Sequence, residues 1–181
     1  MVIKKVRYHR IMIKNRKVFL VTPKKLRDPD RLIEQRRDWI LAKLGQMEKV
    51  EQEAGKMIDV PLLRKEFGER MQDRDGVKKE LKQRISGLAG LYADRLDVEY
   101  NRISIKDQRS KWGSASMKGN LNFNIRLAFV HEDVLRMIVF HEVLHLRIMR
   151  HNREFKSYLK QEFVNYKELC RMLRYYSYLL M

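Results

Sequence analysis

The stretch FHEVLHLRIMRHNREF, residues 140–155, holds three of the five histidines in a chain of 181 residues. On an α-helix, His141 and His145 project to the same side, because residues four apart are separated by only about 40° around the axis. Glu142 lies close enough to reach a water molecule on a metal ion held by both imidazoles, without binding the ion itself. This is the H-E-x-x-H motif, in which two histidines bind zinc and the glutamate acts as general base. The alternative interpretation is that these are ordinary core histidines whose ring nitrogens are hydrogen-bonded to neighbouring groups.

A catalytic zinc site needs a third protein ligand, and we expect His151, six residues beyond His145, to supply it. In an unbroken helix its imidazole would lie too far along and around the axis to join the other two. The helix is therefore predicted to end within residues 146–150, and Asn152 is a good N-cap for a new helix. The rival third ligands are two downstream glutamates, Glu162 and Glu168.

The sequence on either side of this stretch predicts a mixture of strands and helices. Residues 120–127 alternate apolar and polar side chains, the period of a strand with one buried face, and from Glu132 the period becomes helical. A final helix is predicted from about Asn152 to the last residue. Further patterns predict a hairpin over residues 6–23 with its turn at Asn15, helices over 28–53, 61–71 and 76–96, and a strand over 98–107.

We therefore predict an α+β fold, in which a small, mostly antiparallel sheet packs on the H-E-x-x-H helix. Additional helices and an N-terminal β-hairpin complete it. Residues 49–60 are polar and contain Gly55, and Pro61 follows, which favours a boundary there. Residues 1–60 would then form the basic hairpin and a long charged helix, as part of the catalytic unit or appended to it, and residues 61–181 the domain that carries the histidines.

The charge of the chain favours an acidic partner. Forty Lys and Arg against 23 Asp and Glu give a net charge of +17, and residues 1–27 contain ten Lys or Arg and no acid. Such an excess attracts polyanions and indicates DNA or RNA, whereas a contribution to solubility alone is the alternative. The predicted nucleic-acid contacts are Lys4, Lys5, Arg7, Arg10, Lys14, Arg16 and Lys17.

Cysteine usage and hydropathy indicate a cytoplasmic protein with no membrane partner. The single cysteine, Cys170, excludes an intrachain disulfide and fits a reducing compartment, and we interpret it as a buried helix residue. The N-terminus has no apolar signal segment, and no uninterrupted apolar run approaches the ~20 residues that span a bilayer.

These motifs resemble the YgjP-like metal-dependent hydrolase family, zincins related to the WLM and SprT-like metallopeptidases. The family pattern is a Trp-Gly-Ser block, a glycine-containing turn, an alternating strand, an H-E-x-x-H helix, and a third histidine followed by an aromatic residue. The chain offers DQRSKWGSASMKGNLNFNIRLAFV over residues 107–130 and VFHEVLHLRIMRHNREF over residues 139–155, in that order. It departs from the pattern at three positions where the family commonly has Cys, Asn and Trp, namely Ala115, Arg150 and Lys156.

The resemblance implies a zincin-like domain over residues 61–181, with zinc as cofactor and a protein or peptide as substrate. It implies that residues 120–127 lie along the cleft and pair with an extended substrate, which makes Asn122 and Asn124 candidate substrate contacts. Trp112 would lie at the entrance of the cleft, although a Trp before Gly is also a common core residue. The alternatives are a nucleotide or phosphoester hydrolase and a non-catalytic nucleic-acid-binding protein with a structural metal. A peptidase recruited to nucleic acid would combine two of these functions.

Overall fold

The computed structural model describes residues 9–14, 17–22 and 28–181. The chain divides into two compact units, Met1–Lys56 and Met57–Met181. All the motifs that predict a metal site lie in the second unit. None of the helices within the described ranges is long and apolar enough to cross a bilayer.

The first unit contains the predicted hairpin. Strand β1 (Arg10–Lys14) pairs antiparallel with strand β2 (Lys17–Val21), while the turn residue Asn15 lies outside the described residues. The helix predicted over residues 28–53 is instead two helices, α1 (Pro29–Glu34) and α2 (Arg37–Gly55). The break falls at Arg36, whose φ of −114° and ψ of 12° are outside the helical range.

The second unit is built around helix α4 (Arg74–Leu96), which follows helix α3 (Val60–Arg70). Asp73 caps α4 by accepting a hydrogen bond from the Gly76 backbone at 3.0 Å. Asp97 ends it in a left-handed conformation with φ of 53°. The buried face of α4 packs against the H-E-x-x-H helix and comprises Val77, Leu81, Ile85, Ala89, Tyr92, Ala93 and Leu96.

A three-stranded sheet lies in the same unit, and it confirms the α+β class. Its strands are β3 (Arg102–Lys106), β4 (Gly113–Ala115) and β5 (Asn120–Asn124), in the order β3-β5-β4. β5 pairs parallel with β3 and antiparallel with β4. The expectation that this central strand pairs with a substrate is therefore wrong, because its partners on both sides are already in place. The short strand β4 is the edge that packs against the H-E-x-x-H helix.

The strand predicted over residues 120–127 ends early, at Asn124. The Asn124 side chain accepts a hydrogen bond from the Arg126 backbone at 3.1 Å and caps a 3-10 helix, Ile125–Phe129. Ile125 and Leu127 are nevertheless fully buried, as the alternating pattern predicted.

Three helices complete the unit: α5 (Glu132–Leu144), α6 (Arg153–Glu162) and α7 (Tyr166–Leu180). The end of α5 and the start of α6 agree with the predicted break between the second and third histidines. The single final helix predicted from Asn152 is wrong, because Phe163 adopts an extended conformation (φ −121°, ψ 101°) that separates α6 from α7.

Candidate active site

The end of helix α5 positions the three histidines. His141 lies in its last turn, and His145 is its C-cap. The Ile148 backbone donates to the Leu144 carbonyl at 2.8 Å, which closes one further turn beyond the helix. Asn152 then begins α6 by accepting a hydrogen bond from the Phe155 backbone at 2.9 Å. This reversal of the chain returns the next histidine towards the first two.

His151 completes a cluster of three imidazole nitrogens. Its Nε2 atom lies 3.0 Å from Nε2 of His141 and 3.1 Å from Nε2 of His145. Two nitrogens on one tetrahedral zinc ion, each at 2.0–2.1 Å, are separated by about 3.3 Å. The second nitrogen of His145, Nδ1, is 3.2 Å from the carbonyl of Ile148, a contact that leaves Nε2 free to accept a metal ion. The donor set and its spacing therefore fit a divalent metal.

The electrostatics of the cluster also favour a cation. Burial, together with the smaller effects of the neighbouring His145 and His151, lowers the pKa of His141 to about 3. Burial likewise lowers the pKa of His145. Neutral imidazoles at these distances direct their nitrogen lone pairs at one another. A metal ion between the nitrogens supplies an attraction that only a shared proton could otherwise supply.

Phe155 forms the floor of the cluster. Its ring is fully buried, and its centroid lies 4.9, 4.6 and 4.8 Å from those of His141, His145 and His151, respectively. In the sequence it is the aromatic residue that follows the third histidine in the family pattern, and no contact with the cluster was predicted for it. Its position four residues after the third histidine, one turn into a new helix, is the signal that places it under that ring.

Glu142 is held from above by strand β4. The side chain is 6% exposed, and an added β-carbon at Gly113 would come within 2.6 Å of Cγ and Oε1 of Glu142. Burial raises the pKa of Glu142 to about 7, opposed by a hydrogen bond with the Ala115 backbone and by the charge of Lys111. A carboxyl group poised near neutrality can both accept and return a proton.

The backbone of β4 presents one side to β5 and the other side outward. The Trp112 carbonyl accepts from the Asn124 backbone at 2.8 Å, and the Ser116 backbone donates to Asn120 at 3.0 Å. Because backbone groups alternate sides along an antiparallel strand, those of Gly113 and Ala115 face the other edge. Glu142 contacts β4 at these two residues, so the carboxyl group and the outer edge of the strand belong to one site.

Two of the predicted substrate contacts lie near this edge. The Trp112 indole donates to Oγ of Ser177 at 2.8 Å, and the same ring lines a cavity of about 280 Å³ together with His141 and Glu142. Asn122 is half-buried on β5, and its amide donates to Oγ of Ser114 on the neighbouring strand at 3.5 Å. Substrate contact by Trp112 and Asn122 stays a prediction.

The third predicted substrate contact, Asn124, is wrong. Its side chain is fully buried, and its amide nitrogen donates to the carbonyls of Gln108 and Lys111 at 2.7 Å each. Its carbonyl oxygen already accepts from Arg126. Asn124 therefore positions the loop that leads into β4, and a substrate cannot reach it.

The rival third ligands do not approach the histidines. Glu162 accepts two hydrogen bonds from the Arg95 guanidinium, at 2.9 and 2.6 Å, and this pairing raises the pKa of Arg95. Glu168 is exposed at the start of α7. Within residues 9–14, 17–22 and 28–181, the three histidines form the one group of three potential ligands whose donor atoms lie within 4.8 Å of one another.

The predicted nucleic-acid contacts fall on the first unit. Arg10 and Lys17 are exposed on the hairpin, and Lys14 pairs with Lys17 at the end nearest the turn. Four of the seven residues lie outside the described part of the chain: Lys4, Lys5, Arg7 and Arg16. Binding of DNA or RNA stays a prediction.

Comparison with protein families agrees with a peptidase site. A family model described as YgjP-like, metallopeptidase domain, matches residues 69–176, more than half of the chain. Among solved structures, the chain is similar to the metallopeptidase zymogen abylysin of Pyrococcus abyssi, with 19% identity and a TM-score of 0.42, covering 47% of this chain and 87% of that chain. No curated protein matches the sequence.

Proposed function

The chain belongs to the YgjP-like metallopeptidase family and is a metal-dependent hydrolase of the peptidase type, and from this premise we propose that it is a zinc enzyme. In this proposal His141, His145 and His151 bind the ion, and Glu142 is the general base. The observation that carries it is the convergence of three Nε2 atoms, with separations of 3.0 and 3.1 Å from His151, beside a buried carboxyl group.

The proposed reaction divides the work between the ion and the protein. A zinc ion, when bound, acts as a Lewis acid that polarises a carbonyl group and lowers the pKa of water. The Glu142 carboxylate takes a proton from the water that attacks the peptide carbonyl and returns it to the leaving nitrogen. Gly113 and Ala115 keep this carboxyl group against β4, so that proton transfer starts from a fixed position.

The outer edge of β4 supports a peptide as substrate. Outward backbone groups of β4 other than the Ala115 amide, which hydrogen-bonds Glu142, can pair with an extended chain, and main-chain hydrogen bonds of this kind are independent of the substrate sequence. The family likewise implies protein or peptide substrates. Both arguments favour a peptide bond over a phosphoester as the bond that is cleaved.

Two substitutions test the assignment. We expect Glu142→Gln to bind zinc as the unchanged protein does and to lose casein hydrolysis by about 10²–10⁴-fold, because only the proton transfer is removed. We expect His151→Ala to lose zinc, as measured by metal analysis after dialysis. Full activity in the first variant, or unchanged zinc affinity in the second, would contradict the proposal.

We further propose that the basic hairpin brings the peptidase to nucleic acid. The net charge of +17 and the ten basic residues in the first 27 support this, as does the exposure of Arg10 and Lys17. A gel shift with duplex DNA should weaken steeply between 50 and 200 mM salt, and Arg10→Gln with Lys17→Gln should weaken it further.

Hydrolysis of nucleotides, and not of casein, in parallel incubations would favour the phosphoester alternative.

A further inference from the structure

The first unit contains a cavity of its own, between the start of strand β1 and the break that separates α1 from α2. It measures about 280 Å³. The described residues that line it are three apolar side chains, Ile11, Leu32 and Trp39, and three basic ones, His9, Arg10 and Arg36. The volume lies near the lower end of the ~300–1,000 Å³ that pockets for small ligands span. The cavity therefore has room for one ring system and its substituents.

The Trp39 ring offers this cavity an open aromatic face. Trp39 is 49% exposed, although it lies in the first turn of α2 and lines the cavity together with two aliphatic side chains. In the part of the chain that the structure describes, the arginines that lie over an aromatic ring are all in the second unit: Arg70, Arg95, Arg126 and Arg147. A tryptophan face that no such guanidinium covers can stack on a planar ligand.

Two guanidinium groups border the ring and set the charge of the ligand. Arg36 is the N-cap of α2, three residues before Trp39, and Arg10 is the first residue of β1. Within residues 9–14, 17–22 and 28–181, neither guanidinium forms an ion pair with a carboxylate, and the nearby Glu34 is already paired with Arg37 at 3.2 Å. A ligand with a planar ring and adjacent negative charge matches these groups, and a nucleotide has both.

The hairpin continues the basic and aromatic surface beyond the cavity. In its antiparallel register Arg10 lies opposite Val21 and Met12 opposite Phe19, so these four side chains share one face. Phe19 is 42% and Met12 38% exposed, and Lys17, two residues before Phe19, is exposed on the same face. A strand of five residues is about 17 Å long, which exceeds the length of one nucleotide. The surface therefore suits a strand of several nucleotides.

We propose that this surface binds single-stranded nucleic acid, with one base stacked on Trp39 in the cavity and the flanking phosphates on Arg10 and Arg36. This inference rests on the proposed binding of nucleic acid by the hairpin, and it names the form that is bound. A base within a duplex is covered by its neighbours on both faces, whereas an unpaired base has a free ring to insert. Since every base has such a ring, the site should tolerate different sequences.

The affinity for a labelled oligothymidine of about twelve nucleotides, compared with that for the same strand in a duplex, tests the cavity. Trp39→Ala should lower the affinity for the single strand about tenfold and that for the duplex less than about twofold, because one stacked base is lost. Trp39→Phe should keep most of the affinity, since it keeps a ring. Leu41→Ala is the matched control: Leu41 is 55% exposed on the same helix and does not line the cavity, so neither affinity should change.

The salt dependence of binding tests the phosphate contact. Arg36→Gln should reduce the slope of log affinity against log salt concentration by about 0.7 for the single strand, the change expected for one lost phosphate contact. Lys43→Gln removes the same charge from an exposed position on α2 that does not line the cavity. Its slope should equal that of the unchanged protein.

Tryptophan fluorescence reports on the cavity without any loss of affinity. The chain has two tryptophans, and a base stacked on Trp39 should quench part of the emission when the oligonucleotide saturates the unchanged protein. Trp39→Phe keeps only Trp112 and should show no quenching. This comparison holds even if Trp39→Ala fails to fold.

Four results would overturn the base site. They are equal affinity of Trp39→Ala and the unchanged protein for the single strand, no quenching at saturation, and displacement of the oligonucleotide either by polyglutamate or by thymidine monophosphate at the same concentration of charged units. Displacement by polyglutamate would assign the surface to acidic polypeptides, and displacement by the monophosphate would assign the cavity to a free nucleotide.

Failure of the base site is distinguishable from failure of the proposed function. If Arg10→Gln with Lys17→Gln weakened binding of both forms of DNA while Trp39→Ala changed neither, the hairpin would bind nucleic acid without a base in the cavity. If the unchanged protein bound neither form, recruitment to nucleic acid would itself be wrong. Hydrolysis of casein would be the same in either case, because the ligand histidines and Glu142 belong to the second unit.

Discussion

Gly113 on the edge strand lies directly against the Glu142 side chain, with no room for a β-carbon between them. A carbon added at Gly113 would come within 2.6 Å of both Cγ and Oε1 of Glu142. The glycine of the Trp-Gly-Ser block is thus required by the carboxyl group beneath it. The two sequence motifs, about 30 residues apart in the chain, form a single contact.

Gly113→Ala should therefore inactivate the enzyme without removing its metal. The added methyl group displaces the Glu142 carboxyl group, and a displacement of about 1 Å costs on the order of 10²-fold in rate. The three histidines are not touched, so zinc content should be unchanged. Peptide hydrolysis and metal analysis of the same preparation would measure both effects.

Gly87→Ala is the matched control. Gly87 lies within α4, and an added β-carbon would meet nothing within 4 Å. Alanine should raise the free energy of unfolding by about 0.5–1 kcal/mol, because it loses less backbone entropy in a helix, and hydrolysis should not change. Equal activities for the two alanine variants would contradict the role of Gly113.

Local sequence signals predicted the ligand helix and its end. His141 and His145 required a helix, and His151 could join them only if that helix stopped. The N-cap at Asn152 could be predicted because the type of its side chain and its position both favour the start of a new helix. The geometry of the cluster, with Nε2 separations of 3.0 and 3.1 Å from His151, follows from these local rules.

Tertiary contacts decided what the sequence could not predict. Apolar and polar residues alternate through residue 127, as they do in a strand. The strand nevertheless ends at Asn124, which caps a 3-10 helix in which Ile125 is buried, and the sequence of this helix continues the same alternation. The order β3-β5-β4 depends on which strands meet, which no single segment encodes. For the same reason Asn124 was mistaken for a substrate contact, although it holds the loop before β4.

Asn152→Ala should weaken zinc binding through the position of His151. Loss of the hydrogen bond to the Phe155 backbone costs about 1 kcal/mol at a helix N-cap, and it loosens the residue next to a ligand. We expect zinc affinity, measured by competition with a chelator, to fall about tenfold. Asn165→Ala is the control, because Asn165 begins α7 without a side-chain cap hydrogen bond, and it should leave zinc affinity unchanged.

Phe155→Leu should show that Phe155 supports metal binding as well as general stability. Leucine keeps the floor of the cluster apolar but loses the ring contacts with three imidazoles, so zinc affinity should fall about tenfold together with about 1–2 kcal/mol of unfolding free energy. Phe163→Leu is the matched substitution, since Phe163 is also buried but contacts Phe140 at 5.7 Å. If both variants lost zinc equally, Phe155 would have no specific role.

Asp107→Asn should make the unfolding free energy less dependent on pH. The hydrogen bond from the Arg126 guanidinium, followed by the charges of Arg126 and Arg74, lowers the pKa of Asp107 in the folded protein. The stabilisation is therefore fully present above the unfolded-state pKa of about 3.9. It is lost as the pH falls through the lower folded-state value, because the carboxylate must then be protonated.

Urea unfolding at pH 7, 5, 4 and 3 measures this effect. At pH 7 the variant should be about 1–2 kcal/mol less stable than the unchanged protein, and the difference should shrink below pH 4. Arg126 also donates to the Leu180 carbonyl at 2.7 Å, so the loss should loosen the end of α7 as well. Asp75→Asn should cost less than about 0.5 kcal/mol at every pH, because Asp75 is 93% exposed beside Lys78. If the difference in unfolding free energy between Asp107→Asn and the unchanged protein stayed constant from pH 7 to pH 3, the carboxylate charge would contribute nothing to stability.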